Sequence, residues 1–303
     1  MILIDGNSIG FAASAGREMM AGTVPTGGTF GFINRIHGFR QQYNGKMIVL
    51  WDGKSWRFDD FPSYKSARTK NPKVVALKEL WKKQRPYCGK LLHSMGVTQM
   101  LASNMEADDL AGRLCKSLEG RVEDITLITG DGDWLQCVRD GVRWVDPIRD
   151  RSAVTETLID QTGYQTAWQF IQSKALKGDQ GDSIPGVGGI GPKGADWIIS
   201  TFGSVEGFIN SYHLENIEIP AKIRKGVQGL LDDPEVLANY HRNLKLVWIN
   251  HPDVPKTVGL KNIKATVDHE KFADLCAELA FHGHARTADM WLRPFETQET
   301  ALV

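Results

Sequence analysis

The chain has 303 residues, 42% hydrophobic and 24% charged, a length and balance that suit a globular protein with one large core or a main domain and a smaller appendage. Lys plus Arg and Asp plus Glu both number 36, so the global basic charge that marks many nucleic-acid binders is absent. The longest apolar runs, such as Met47 to Trp51, are too short to span a bilayer, and the start Met-Ile-Leu-Ile-Asp has neither a basic n-region nor a cleavage site, so a cytoplasmic protein without membrane attachment is expected.

Ile2 to Asp5 reads as a short buried strand that ends on a carboxylate beside Gly6. The pattern recurs at Lys46 to Asp52-Gly and at Asp124 to Asp131-Gly-Asp133, and Arg143 to Asp146 predicts a further strand. Between the first two, Phe30, Ile33, Ile36 and Phe39 recur at helical spacing. Continuous apolar strands alternating with helices indicate an α/β core over residues 1–150, with a mostly parallel central sheet flanked by helices. In such sheets ligands bind beyond the carboxyl ends of the strands, where Asp5, Asp52, Asp131 and Asp133 would emerge. One Asp after a strand is usually a turn residue; four, joined by a further acidic cluster, point to a metal site.

An insertion over residues 53–103 follows the second strand. Lys54 to Lys90 holds eleven Lys or Arg against three acids, a net charge of +8 that suits a polyanion. A helix is predicted from Pro72 to Met95. Its lysines could simply face water, but that does not explain the near exclusion of acids. Tyr64-Lys65 and Trp56-Arg57 set aromatic rings beside cations, a pairing suited to stacking on unpaired bases.

Glu106, Asp108 and Asp109 fall within four positions and open a helix carried by Leu110, Ala111, Leu114 and Leu118, with Ser103 or Asn104 as the expected N-cap. Acids suit a first turn. Three so close repel one another, and an ideal helix turns Asp108 nearly opposite Glu106 and Asp109. They converge only if the first turn is irregular and cations hold it together.

From Asp146-Pro147 onward the strand pattern stops, and residues 151–292 read as a helical region with segments at Gln165 to Lys177, Pro192 to Phe202, Pro234 to Val247 and His269 to Leu279. Asp179 and Asp182 precede a loop with glycines at 186, 188, 189 and 191, followed by Pro192-Lys193. Exposed amides there, with Lys193, can grip a phosphate without reading sequence. Cys88, Cys115, Cys137 and Cys276 lie far apart and read as reduced core thiols. Residues 293–303 read as a polar tail.

In order along the chain, Glu106-Ala-Asp-Asp109, Thr129-Gly-Asp-Gly-Asp-Trp134 and Gly178-Asp179-x-x-Asp182 leading into Ile184 to Lys193 resemble the motifs of the 5′ nuclease superfamily of flap endonucleases and 5′ exonucleases. With no extra domains evident, the chain is most similar to the stand-alone phage-encoded 5′ exonucleases. The resemblance implies a helical arch over the active site and a helix-hairpin-helix-like element at about 178–202. It places Tyr64, Lys65 and Arg68 on the arch, with Lys65 as the electrophile near the scissile phosphate and Arg68 steering the strand. Gly186, Gly188, Gly191 and Lys193 fall at the duplex contact, where backbone carbonyls bind K⁺. It also implies two Mg²⁺ ions, with Mn²⁺ as a substitute. Asp5, Asp52, Glu106, Asp108 and Asp131 would serve mainly the first ion, while Asp109, Asp133, Asp179 and Asp182 complete or support the second.

The expected activity is 5′→3′ exonucleolytic hydrolysis from the 5′ end of double-stranded DNA, and of RNA in RNA–DNA hybrids, with 5′-flap cleavage as the alternative. A monomer is expected, in the host cytoplasm if phage-encoded. Two positions depart from the family pattern: Ser183 stands where Asn is common, and Ala12 and Ala13 stand where a basic residue often lies, leaving Arg17 as the nearest substitute. A haloacid-dehalogenase-type phosphohydrolase would need a second Asp that Asp5-Gly-Asn-Ser lacks. A non-catalytic DNA-binding factor would leave nine carboxylates unexplained.

Overall fold

A computed structural model describes residues 1–296 except 70, 123, 215 and 216, so Lys70 of the basic run and residues 297–303 of the tail lie outside the described residues. The chain opens with β1 (Ile2–Asp5) and α1 (Gly6–Ser14), a small hairpin of β2 (Met20–Ala21) and β3 (Val24–Pro25), then α2 (Gly27–Gln42) and β4 (Met47–Trp51). The insertion supplies α3 (Arg57–Asp60), a 3-10 turn at Ser66–Thr69 and the long α4 (Pro72–Ser94). There follow β5 (Thr98–Leu101), α5 (Ala107–Ser117), β6 (Ile125–Ile128), a 3-10 turn at Gly132–Cys137, β7 (Val142–Asp146) and β8 (Arg151–Ala153). The helical part comprises α6 (Leu158–Thr162), α7 (Ala167–Lys177), α8 (Pro192–Phe202), α9 (Val205–Leu214), α10 (Arg224–Asp232) and α11 (Pro234–Val247). The strand β9 (Lys261–Ile263) and helices α12 (His269–Glu278), α13 (His282–Arg286) and α14 (Ala288–Glu296) complete it.

Seven strands form one sheet in the order β8-β7-β6-β1-β4-β5-β9. Its inner pairs β7-β6-β1-β4-β5 are all parallel, and β8 and β9 close the two edges antiparallel. Strand period 2 sends Ile2, Ile4, Met47, Val49 and Trp51 into one apolar layer and Leu3, Ile48, Leu50, Ile125 and Leu127 into the other. Both faces are covered, which is why the strands read as unbroken apolar runs. A third core holds the helical part together and takes in Trp56 and Tyr64 from the insertion. The four cysteines are buried and free, as expected. Among the described residues no helix is long and apolar enough to cross a membrane.

The sheet does not stop at residue 146, because β8 and β9 extend it. The sequence Lys261-Asn-Ile263 is short, polar and exposed along its whole length, so it carries no apolar run that would announce a strand. The last helices also return to the sheet: Phe272, Leu275, Cys276, Leu292 and Phe295 share the apolar layer of Ile2 and Val49. Residues 269–296, expected within the helical region and the tail, thus pack on the α/β layer. The N-cap of α5 is Glu106, with Asp109 reaching back to its amide at 3.1 Å. Ser103 and Asn104 instead bond to Val258 and Lys256, upstream of β9.

Candidate metal-dependent active site

Five parallel strands end on one side of the sheet, and three of them deliver acids to a single cleft of about 1240 Å³. Asp5 closes β1, Asp52 follows β4, and Asp131 follows β6 across Thr129-Gly130; with Glu106 and Asp108 they line the cleft. Asp146, at the end of β7, does not join them. It is fully buried and paired with Arg149 and Arg151, so it is the turn residue that an Asp after a strand usually is.

Asp5, Asp108 and Asp131 are held by neutral donors. Asp5 accepts from Ser8 N and Thr129 Oγ1, both at 2.8 Å. Asp131 caps the 3-10 turn by accepting from Asp133 N at 2.9 Å. Asp108 accepts from the buried Trp134 indole at 2.6 Å. Because Glu106 precedes α5 as its N-cap, with extended backbone, the cluster escapes the geometry of an ideal first turn, and Glu106 and Asp108 line the same cleft.

Burial and, second, the neighbouring Asp52 push Asp5 up to about 7. Burial and then Asp133 push Asp131 up to about 6, and burial with Asp131 raises Asp108 well above the usual carboxylate range. Crowded, mutually repelling oxygen donors without His or Cys are the donor set that hard divalent cations take, so the residues present fit such ions. A carboxyl whose pKa is raised by folding favours the folded state while protonated. Its contribution is whole below pH ~4 and is lost as pH rises through 6 to 7. In EDTA the protein should therefore lose roughly 2–4 kcal/mol of stability between pH 5.5 and pH 8. Mg²⁺ should restore most of it at pH 8 and little at pH 5.5. Thermal melts at both pH values, with EDTA or Mg²⁺, check this; equal melting temperatures in EDTA contradict it.

A second acidic group lies beside the first. Carboxylate oxygens of Asp133, Asp179 and Asp182 fall within 4.8 Å of one another. Lys174 of α7, which the sequence analysis passed over, bridges Asp133 and Asp179, reaching the latter at 2.8 Å. Burial works against its charge, but Asp133 and Asp179 outweigh it and raise its pKa, while Asp179 is held low in return. Asp109 is turned away from both groups. It is fully buried and bound by both ends of the Arg57 guanidinium at 2.9 and 3.1 Å. Arg57 also reaches Glu106 at 3.3 Å. The dipeptide Trp56-Arg57, expected to meet bases, is in fact interior: both residues are 3% exposed.

The arch residues separate likewise. Tyr64, expected against DNA, is 3% exposed, with its ring in the helical core and its hydroxyl 2.9 Å from both Glu106 and Asp182, so it offers no open face to a base. Phe58, packed edge-on against Tyr64 at 5.4 Å, lines the cleft together with Phe11 and Trp81. Lys65 enters the cleft from a left-handed backbone (φ 57°), with its amide on the Asp182 carbonyl at 2.8 Å and its ammonium paired with Glu106. Arg68 pairs with Asp182 and donates to the Gly181 carbonyl at 3.1 Å. Lys78, Lys82 and Arg85 of α4 complete the cationic wall. Arg17 is exposed and does not line the cleft; Arg85 stands there instead, 3.3 Å from the Asp52 carbonyl.

The glycine loop sits between α7 and α8. Gly188 has φ +54°, and a Cβ there would lie 2.8 Å from Val236 of α11, so glycine serves both conformation and packing. Gly186 is exposed within the loop, and Gly191 and Lys193 are exposed at the start of α8, whose first residue is Pro192. Ser183 is also left-handed (φ 61°), and its hydroxyl accepts from Ala67 N at 2.9 Å. Asn adopts this conformation several-fold more readily than Ser. Ser183→Asn should therefore raise stability by about 0.5 kcal/mol, read from urea denaturation midpoints.

A family model described as the 5′-3′ exonuclease N-terminal resolvase-like domain matches residues 1–169, and one described as the 5′-3′ exonuclease C-terminal SAM fold matches residues 165–270. DNA polymerase I of Lactococcus lactis is 31% identical over 86% of this chain and 30% of that protein; the thermostable DNA polymerase I of Thermus filiformis is 26% identical over 93% and 32%. The chain thus spans about a third of the length of the curated relatives it matches. Its fold is similar to that of T5 5′-exonuclease solved with bound zinc (TM-score 0.67, 23% identity, 97% of both chains) and of human GEN1 with Holliday junction DNA (TM-score 0.61, 14% identity, 96% of this chain and 71% of that one). With the N-terminal model matched over more than half of its length, this chain belongs to the 5′-3′ exonuclease family.

Proposed function

We propose that this chain is a divalent-metal-dependent 5′→3′ exonuclease that hydrolyses phosphodiester bonds from the 5′ end of duplex DNA and of RNA paired with DNA. The observation that carries it is the convergence of Asp5, Asp52, Glu106, Asp108 and Asp131 in one cleft walled by Lys65, Lys78, Lys82 and Arg85. We assign those five acids to a first Mg²⁺, replaceable by Mn²⁺, and Asp133, Asp179 and Asp182 to a second, with Asp109 supporting through its hold on Arg57 and the α5 N-terminus. Bound divalent ions would supply Lewis acidity at the scissile phosphate and activate the attacking water.

The chain's own residues do the rest. Arg85, Lys82 and Lys78 draw the phosphate backbone along α4, and Phe58 offers a ring to a base at the cleft mouth. Lys65 changes partner from Glu106 to the scissile phosphate and offsets charge as it builds there. The amides of the exposed Gly186, Gly188, Gly189 and Gly191, with Lys193, hold the duplex by its backbone, while those of Val187 and Ile190 are bonded within the protein. The carbonyls of this loop are assigned K⁺.

Lys65→Ala should lower turnover about 10²- to 10³-fold. Duplex affinity, carried mainly by the other cations and the glycine loop, should change little. Single-turnover rates beside binding isotherms check the split; an equal loss in both refutes it. A 5′-end-labelled blunt duplex, gapped duplex, 5′ flap and RNA–DNA hybrid, each with Mg²⁺ or EDTA, test the function itself. Mg²⁺-dependent release of short products from recessed and blunt 5′ ends is expected. Cleavage confined to the flap would make the enzyme a flap endonuclease, and cleavage of none would overturn the proposal.

A further inference from the structure

Asp52 is gripped from three elements. Its Oδ1 accepts from Ala107 N, the first residue of α5, at 2.8 Å, and its Oδ2 accepts from the Asn7 amide of α1 at 2.6 Å. Asn7 is held in turn, because its Oδ1 accepts from the Trp81 indole at 3.3 Å. Trp81 belongs to α4, the long helix of the basic arch, yet is only 6% exposed. Its ring packs on Trp51 and Phe32 with centroids 6.3 and 5.9 Å away. Where α1 passes it stands Gly10; a Cβ there would lie 2.0 Å from the indole, so glycine admits the ring. One turn further along α4, Arg85 lies over Trp51 at 5.0 Å and donates to the Asp52 carbonyl. The arch helix therefore holds the end of β4 by side chain and by backbone.

Resting on the metal-nuclease reading above, we propose that Asn7 and Trp81 are positioning residues that couple the seating of the arch helix to the readiness of Asp52 to hold a divalent ion. A carboxylate free to rotate must be ordered when an ion binds. Two donors, one on each oxygen, order it beforehand and leave each oxygen a further lone pair. Trp81 orients the Asn7 amide so that its NH₂ faces Asp52. Lifting α4 withdraws the indole, frees Asn7 and loosens Asp52. Coupling of this kind is reciprocal, so an ion at Asp52 must firm α4 by the factor by which α4 favours the ion.

The test uses the DNA-free full chain, with Trp81→Phe removing the N–H but keeping a ring, Asn7→Ala, and the double variant. Mn²⁺ affinity is measured by calorimetry, and hydrogen exchange of α4 amides is followed with and without Mn²⁺. Wild type should show slower exchange in α4 when Mn²⁺ is added. Each single variant should bind Mn²⁺ roughly 10-fold more weakly and lose that slowing. Because both act through one path, the double variant should be no weaker than Asn7→Ala alone. Unchanged Mn²⁺ affinity with wild-type slowing in Trp81→Phe overturns the relay. Additive losses, the mark of a merely structural tryptophan, do so too, as does a wild type that takes up no Mn²⁺. Failure of the nuclease reading is seen separately, as no Mg²⁺-dependent hydrolysis by a wild type that still binds Mn²⁺ and firms α4.

Discussion

Replacing Arg57 by methionine should destabilise the protein by roughly 3–5 kcal/mol, the loss expected when one partner of a buried ion pair is removed. Arg57 is 3% exposed, and all its bonds lead inward: two to Asp109, one to Glu106 and one from Nε to the Leu246 carbonyl at 2.7 Å. Its guanidinium also stacks on Trp56 at 4.7 Å. Without it, the fully buried Asp109 keeps only the Glu106 amide as a donor. Arg57→Lys should recover less than half of the loss, because an ammonium cannot serve both oxygens of Asp109 and the Leu246 carbonyl in one plane. Urea denaturation midpoints with unchanged slope check the order wild type, Lys, Met. A methionine variant within about 1 kcal/mol of wild type would show that Asp109 and Glu106 do not depend on this cation.

The contrast between Asp131 and Arg57 shows what the sequence could tell. An Asp beside Gly at the end of an apolar run has a meaning that local pattern carries, since a parallel sheet brings such ends together wherever they fall in the chain. Asp5, Asp52 and Asp131 were legible for that reason, as were the limits of α4 and α11, marked by Pro and helical spacing. Arg57 and Lys174 were not, because a cation reads alike whether it faces DNA or a buried acid 49 or 41 positions distant. Tyr64 misled for a related cause: beside Lys65 it looks like a stacking platform, but only the helical core tells that its ring is covered. The return of α12, α13 and α14 to the sheet was hidden too. Amphipathic helices announce that they will be buried, not against what.

Asp131→Asn should lower turnover by about 10³-fold or more while leaving duplex binding within about twofold. The change is nearly isosteric, and Asn is as good an N-cap as Asp, so the bond from Asp133 N that starts the 3-10 turn survives. What goes is a charge. Asp131 is the acid that most raises Asp108, after burial itself, so repulsion in the cleft falls with it. The variant should therefore be more stable than wild type in EDTA at pH 8, by about 1 kcal/mol, and should gain less from added Mg²⁺. Loss of turnover with a gain in metal-free stability is the signature of a group kept for chemistry against its own fold. Single-turnover hydrolysis of a 5′-labelled duplex, binding in Ca²⁺ and melts in EDTA measure all three quantities on one preparation. Wild-type turnover in Mg²⁺ would remove Asp131 from the site. A variant both inactive and less stable would make it structural, which is how Asp146 is used at the end of the neighbouring strand.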